Sequence, residues 1–252
     1  MLLTNLQFIL FGDYKKYEAD QERIISILSK FIENGVQVIP TTFQQINPVM
    51  GLKASERIMF NNSKENYSVQ IGIDAIQIQK TLPKIKLYNY EAEIKDFMRT
   101  IKKIIKSLSD TQEGLNLGSR ISIVVENTYN TTEIVELNKI YEMFSNSIPN
   151  YSIEETFEWN TRVVKRLELS SVNLKDEIVN FVNEVSRING NFNSNGEVEE
   201  LDTIQTKVDI NTLYIKNDNR IDLKFASEFL DDSLELLLSQ HKSLEGMIVE
   251  NK

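Results

Sequence analysis

The chain has 252 residues, of which 41% are apolar and 26% charged, with a formal net charge of −9 and no cysteine. The lack of cysteine excludes a disulfide framework and a thiolate metal site, and the acidity disfavours binding to nucleic-acid phosphates. The N-terminal segment lacks the basic start of a signal peptide, and no apolar run reaches the roughly 20 residues that span a bilayer. We therefore expect a soluble, cytoplasmic protein that does not associate with membranes.

The first half of the sequence predicts a strand, a helix, a β-rich stretch and a second helix. Residues 2–11 alternate as a strand that is buried on both sides. Residues 19–34 follow helical spacing, and Gly35 supplies the C-terminal stop. The β-rich stretch contains strands at 36–43, 57–61, 67–73 and 76–80. Residues 91–109 have the apolar stripe of an amphipathic helix.

The second half of the sequence repeats this order. Residues 120–126 form a strand, and the residues 130–133 resemble a capping box that opens a helix ending near residue 144. A long strand at 157–169 has apolar odd positions, and another strand covers 201–211. The closing helix runs from about residue 225 to residue 249.

The segment 176–188 fits two patterns. Ile178, Val182, Val185 and Ile188 have helical spacing, whereas Val179, Phe181 and Val185 alternate as in a strand that ends at a turn formed by Asn189 and Gly190. We favour the strand, because each half then follows a β-α-β-β-β-α-like order, with one strand more in the first half.

This order predicts an α+β fold with a mainly antiparallel sheet and helices packed on one face. The two halves, residues 1–112 and 113–252, form an internal duplication of element order. A single sheet that crosses both halves would make them one continuous domain.

His241 is the only histidine, and it falls on the apolar stripe of the last helix. Every Ser-His-Asp arrangement would depend on it, yet no Gly-x-Ser-x-Gly context accompanies it. The residue is therefore predicted to be a packed, hydrogen-bonded core residue. Glycine-rich phosphate loops are absent as well, so the sequence predicts no cofactor and no catalytic residue.

Carboxylates are plentiful, but none forms a recognisable metal motif. The adjacent residues Asp231 and Asp232 are interpreted as favouring a nearby helix start. Asp202 with Lys207, and Glu93 with Lys95, can be aligned with a nuclease-like pattern, and we interpret both as chance. Oxygen-only Mg²⁺ sites carry little sequence signal, so a carboxylate-based metal-dependent enzyme remains one alternative.

The most informative feature is a pair of polar strand faces. Their residues are Glu158, Asn160, Arg162 and Arg166 on one strand, and Gln205, Lys207, Asp209 and Asn211 on the other. One interpretation is a solvated sheet face with cross-strand ion pairs. The other is a surface presented to a protein partner, with the two arginines as the main contacts.

Several phrases of the sequence resemble a known family. They are Arg57-Ile-Met-Phe60, the alternating pair from Tyr67 to Ile78, Arg120-Ile-Ser-Ile123, Asp209-Ile-Asn-Thr212 and the closing helix with His241. The chain resembles a sporadically distributed family of bacterial proteins with no agreed activity. The resemblance implies a setting of mobile elements and phage conflict, and it transfers no catalytic residue.

Together these features predict a non-enzymatic protein-binding or regulatory protein. It would act in bacterial anti-phage defence, counter-defence or toxin neutralisation, with homo-oligomerisation left open. A small-molecule-sensing domain, with a pocket between sheet and helices, is the other alternative.

Overall fold

The computed structural model describes residues 3–46, 54–83, 89–111, 118–129, 137–144, 156–171, 174, 177–194, 197–214 and 220–249. In chain order its elements are β1 (Leu3–Phe11), α1 (Gln21–Glu33), β2 (Ile39–Ile46), β3 (Ala54–Asn62), β4 (Tyr67–Ile71), β5 (Ala75–Pro83), α2 (Tyr90–Ser109), β6 (Arg120–Thr128), α3 (Leu137–Phe144), β7 (Trp159–Glu168), β8 (Ile178–Ser194), β9 (Glu197–Thr212) and α4 (Leu223–Ile248). These elements confirm the predicted α+β class.

The nine described strands form one antiparallel sheet in the order β2-β3-β4-β5-β1-β6-β9-β8-β7. In each half a helix follows the first strand, and the next strands then meander back to pair with that first strand. β1 pairs with β6 over its whole length, so the sheet runs unbroken from one half into the other. The second half has the predicted order β-α-β-β-β-α, and the first half contains one strand more.

The described helices lie on one face of the sheet and cover its apolar side. α2 packs on β1, α4 packs on β6 and β9, and the two helices contact each other. The rings of Phe31 on α1 and Phe60 on β3 meet edge to face at 4.9 Å, and those of Tyr141 on α3 and Trp159 on β7 meet at 5.8 Å. None of the described helices combines the length and the apolar composition needed to cross a membrane.

Alternation along β1 shows how the core forms. Leu6, Phe8 and Leu10 point toward the helices and are buried, because successive side chains of a strand face opposite sides. Ile9 and Phe11 point the other way and are only partly buried. The prediction that this strand is buried on both sides is therefore wrong, since none of the described helices covers the second side.

Two local predictions have clear outcomes, and a third falls outside the described residues. Within the segment 176–188, residues 178–188 form a strand, as favoured, because β8 pairs with β7 and β9. The turn predicted at Asn189 and Gly190 is wrong, since both residues continue β8 and pair with Asp202 and Leu201. The capping box predicted at residues 130–133 lies outside the described residues.

The predicted role of Asp231 and Asp232 at a helix start is also wrong. α4 begins at Leu223, where the Asp222 side chain accepts the N-terminal hydrogen bond, so both carboxylates lie in the middle of the helix. The Asp231 carboxylate pairs with Lys102 on α2 at 2.6 Å. The Asp232 carboxylate accepts hydrogen bonds from the backbone N–H and the hydroxyl of Ser171, at 2.9 and 2.7 Å.

Arg57 on β3 is fully buried and connects this strand to the segments that follow β1 and β4. Its guanidinium donates to the backbone carbonyls of Tyr14 and Gly72, at 2.6 and 2.7 Å, and to that of Lys15 at 3.1 Å. Burial lowers the pKa of Arg57 below its usual value. The carbonyls stabilise the charge through hydrogen bonds, so this arginine has a structural role.

Candidate partner-binding surface

The sheet has a second face, opposite the helices, which we call the open face. On the C-terminal strands it consists of Asn160, Arg162, Val164 and Arg166 on β7, Asn180, Val182, Glu184 and Ser186 on β8, Gln205, Lys207, Asp209 and Asn211 on β9, and Ser122, Val124, Glu126 and Thr128 on β6. Period-two alternation and the pairing register place these residues on one side.

Burial follows the same alternation. Along β9, the side chains of Thr206, Val208 and Ile210 face the helices and are buried, whereas Gln205 and Lys207 on the open face remain partly accessible. The open face is most accessible on β7, where Arg162 and Arg166 are exposed. It is most enclosed at its centre.

The eight residues predicted for partner binding divide into four groups. Asn160, Arg162 and Arg166 are exposed on β7, and Gln205, Lys207 and Asp209 are partly accessible on β9. Glu158 is exposed but precedes β7, and Asn211 is buried. The two strands are not neighbours, because β8 lies between them and contributes its own polar side chains.

Asn211 is held within the face and is not accessible to a partner. Its side-chain carbonyl accepts hydrogen bonds from Arg120 and from Asn180, both at 3.1 Å. The neighbouring Asp209 carboxylate accepts the hydroxyl of Ser122 at 2.8 Å. These residues therefore stabilise the pairing of β6, β8 and β9 through their side chains.

A row of charges crosses the four strands. In register it runs from Arg162 through Glu184 and Lys207 to Glu126, so that opposite charges alternate. The Nε of Arg162 lies 3.0 Å from the Glu184 carboxylate, and Gln205 donates to Glu126 at 3.1 Å. Such exposed cross-strand pairs contribute roughly 0.2–1 kcal/mol each, so they organise the surface more than they stabilise the fold.

The sequence missed part of this surface. Glu184 is not among the predicted residues because the segment 176–188 also fits a helix, although its alternation carries the signal. Val163 belongs to the apolar odd positions of the strand predicted at 157–169, yet 60% of it is exposed. β7 is the last strand of the sheet, so this side chain is not covered by the helix layer. Lys165, two residues on, is exposed for the same reason.

Two features bear on the alternative functions. A cleft of about 330 Å³ lies at the start of α1 and is lined by polar and aromatic side chains, among them Tyr17, Asp20, Arg23 and Thr111. Within the described part of the chain, no three His, Cys, Asp or Glu side chains are placed to hold a metal ion.

His241 belongs to a buried polar cluster beneath α4, away from the open face. Its ring stacks on Tyr90, with centroids 3.4 Å apart, and its Nε2 lies 3.6 Å from the Glu245 carboxylate. Burial lowers the pKa of His241 to about 4 and raises that of Tyr129 to about 12. Neither ring nitrogen of His241 has a hydrogen-bond partner among the described residues, so the residue is packed as predicted but the predicted hydrogen bond is wrong. No hydroxyl of the described residues is therefore placed to exchange a proton with this ring.

No family model, curated protein or solved structure matches the chain. The family resemblance of the sequence therefore stays a prediction, and the surface is interpreted from its own geometry.

Proposed function

We propose that this protein acts by binding a protein partner on the open face of its sheet, without chemistry of its own. The observation that carries the proposal is the placement of Arg162 and Arg166. Both are exposed on the uncovered side of the sheet, where they can reach another molecule. Arginine is among the residues that most often dominate binding energy at interfaces.

The composition of the open face supports a partner with mixed polarity. Val164 on β7 is 45% exposed on this face, and the polar side chains of Asn160, Arg162 and Arg166 lie on the same side of the strand. A less polar centre within a polar rim is the usual anatomy of a protein–protein interface. Arg166 and Lys207 form no ion pair with other described residues, so their donors are available to a partner.

The proposed setting is bacterial defence against phage, counter-defence or toxin neutralisation. It rests on the resemblance of the sequence to a sporadically distributed bacterial family, because such distributions accompany mobile elements. Survival of phage-challenged or toxin-expressing cells, measured with and without the intact gene, tests this setting. Equal survival of both strains in each assay would contradict it.

Capture of partners from a lysate of the native host tests binding by the open face. The variants Arg166→Glu and Lys207→Glu reverse charges on this face, and Lys103→Glu is the matched control on the exposed side of α2. We expect the wild type and the control to recover the same specific partner. Loss of a hot-spot contact weakens binding by about 30-fold, so the variants with a reversed charge at Arg166 or Lys207 should not recover the partner.

Two outcomes would contradict the proposal. One is the absence of any specific partner at natural abundance. The other is a partner that all three variants recover as well as the wild type does. Thermal unfolding of each variant separates loss of binding from loss of folding.

A further inference from the structure

The outer edge of β7 is the second feature of this region. β7 ends the sheet order, and none of the other described strands pairs with its outer side. Val163 on the helix side and Val164 on the open side are 60% and 45% exposed, so the middle of this strand is uncovered on both sides. An uncovered edge presents backbone N–H and C=O groups to an incoming strand.

The two ends of the sheet differ in how open they are to such pairing. β2, at the other end, contains Pro40, which cannot donate a backbone hydrogen bond. β7 has neither proline nor glycine, and it pairs with β8 in an unbroken register over its whole length. Its exposed valines are also residues that favour strands. β7 is therefore the better template for an added strand.

Charge distinguishes this edge from the rest of the molecule. β7 carries Arg162, Lys165 and Arg166 against one acidic residue, Glu168, in a chain with a net charge of −9. Arg162 is paired with Glu184 of the same sheet. Lys165 and Arg166 form no ion pair with the described residues and are exposed. The edge is thus a local positive site that complements an acidic segment.

We propose that β7 binds an extended acidic segment of the protein partner by strand addition. This inference rests on the proposed function, and it specifies how the partner is recognised. Backbone hydrogen bonds would extend the sheet by one strand. Side chains of the added strand would meet Arg166, Val164 and Arg162 on the open face, and Lys165 and Val163 on the helix side.

The register predicts the sequence pattern of the partner. An antiparallel strand that runs past positions 166 to 162 would carry acidic, acidic, apolar, apolar and acidic residues in turn. The acidic residues then face the three cations, and the apolar pair covers the two valines.

A second copy of the chain fits this edge less well. A two-fold axis through Val164 would place Arg162 opposite Arg166 of the other copy, so like charges would face each other directly. Nucleic acid is disfavoured by the charge of the whole molecule and by the exposed valines, which match a peptide strand.

The test uses a fluorescent ten-residue peptide with the predicted pattern, flanked by threonines, and the full-length protein. Fluorescence anisotropy measures its binding to the wild type, Lys165→Glu, Arg166→Glu and the control Lys103→Glu. We expect the two β7 variants to bind about tenfold more weakly than the wild type and the control, because charge reversal replaces attraction with repulsion.

Peptides methylated on backbone nitrogens distinguish strand addition from side-chain contact. Methylation of one alternate set of nitrogens should abolish binding, and methylation of the other set should leave it unchanged, because successive N–H groups of a strand point in opposite directions. Equal effects of both sets would overturn the proposal. The proposal would also be overturned if both β7 variants bound the peptide as tightly as the wild type does, or if a single-stranded oligonucleotide bound more tightly than the peptide. Dimerisation through β7, measured by analytical sedimentation, would overturn it as well.

Failure of this inference is distinguishable from failure of the proposed function. Lys165 lies on the helix side of β7 and Lys207 on the open face, away from the edge. If Lys207→Glu removes the captured partner while the acidic peptide does not bind, the open face keeps its function and strand addition is wrong. If Lys207→Glu still recovers the partner and the acidic peptide does not bind, the proposed function and strand addition are both wrong.

Discussion

Burial of His241 predicts a specific loss of stability on acidification. Burial lowers the pKa of its imidazole to about 4, whereas in the unfolded chain the value returns to about 6.5. Between these values the unfolded chain binds a proton that the folded protein does not. The folded state therefore loses stability as the pH falls from 6.5 toward 4, and the full contribution is present above 6.5.

The magnitude follows from the width of this window. At pH 5 the acidification has covered about 1.5 pH units below the unfolded value, and each unit corresponds to about 1.4 kcal/mol, so His241 should cost about 2 kcal/mol relative to pH 7.5. The variant His241→Phe keeps a ring to stack on Tyr90 and removes the titration. Its free energy of unfolding should fall by about 2 kcal/mol less than that of the wild type over the same pH change.

Urea unfolding of both proteins at pH 7.5 and pH 5 measures this difference, because effects of the other titrating groups cancel between them. The Glu245 carboxylate is the acidic group nearest to the imidazole, at 3.6 Å. If it paired with a charged imidazole in the folded state, the wild type would lose no more stability than the variant. That result would refute the assignment of a neutral, buried His241.

Three further predictions concern packing and buried charge. Arg57→Met should lower the free energy of unfolding by about 3 kcal/mol, because it removes the guanidinium that donates to the carbonyls of Tyr14 and Gly72. Urea unfolding measures this change, and a change within about 0.5 kcal/mol would contradict the structural role of the buried Arg57. Glu177→Gln should lower the free energy of unfolding by about 2 kcal/mol in the same assay, because it breaks the bidentate salt bridge with Arg220. An unchanged urea midpoint would contradict a stabilising role of this salt bridge. Val125→Ala should cost about 2 kcal/mol and Val163→Ala less than about 0.5 kcal/mol, since they are 2% and 60% exposed; equal losses would refute the placement of β7 at the sheet edge.

Periodicity predicted most of the elements because most strands are buried on one face only. In the helix at residues 91–109 and in the strands at 67–71 and 205–210, buried side chains lie on one side and more accessible side chains on the other. The ambiguous segment 176–188 also shows this alternation, since the odd positions Val179 and Phe181 are buried under the helices. Local pattern was sufficient where one side of an element meets the core.

Features that depend on strand order could not be read from the sequence. Val163 has the same local signal as a core valine, and only its place on the terminal strand exposes it. Arg57 is in an ordinary strand, and its burial arises from a loop 42 and 43 residues away in the chain that supplies two of its carbonyl partners. Asn189 and Gly190 carry a strong turn signal, yet pairing with β9 continues through them.

The central claim is that a partner protein occupies the open face and the β7 side of the sheet. Backbone hydrogen exchange, measured on the free protein and on its complex with the captured partner, tests this claim most directly. We predict slowed exchange along residues 160–166 of β7, with no change on the exposed side of α2. Slowed exchange that is confined to the helices, with β7 unaffected, would contradict the claim.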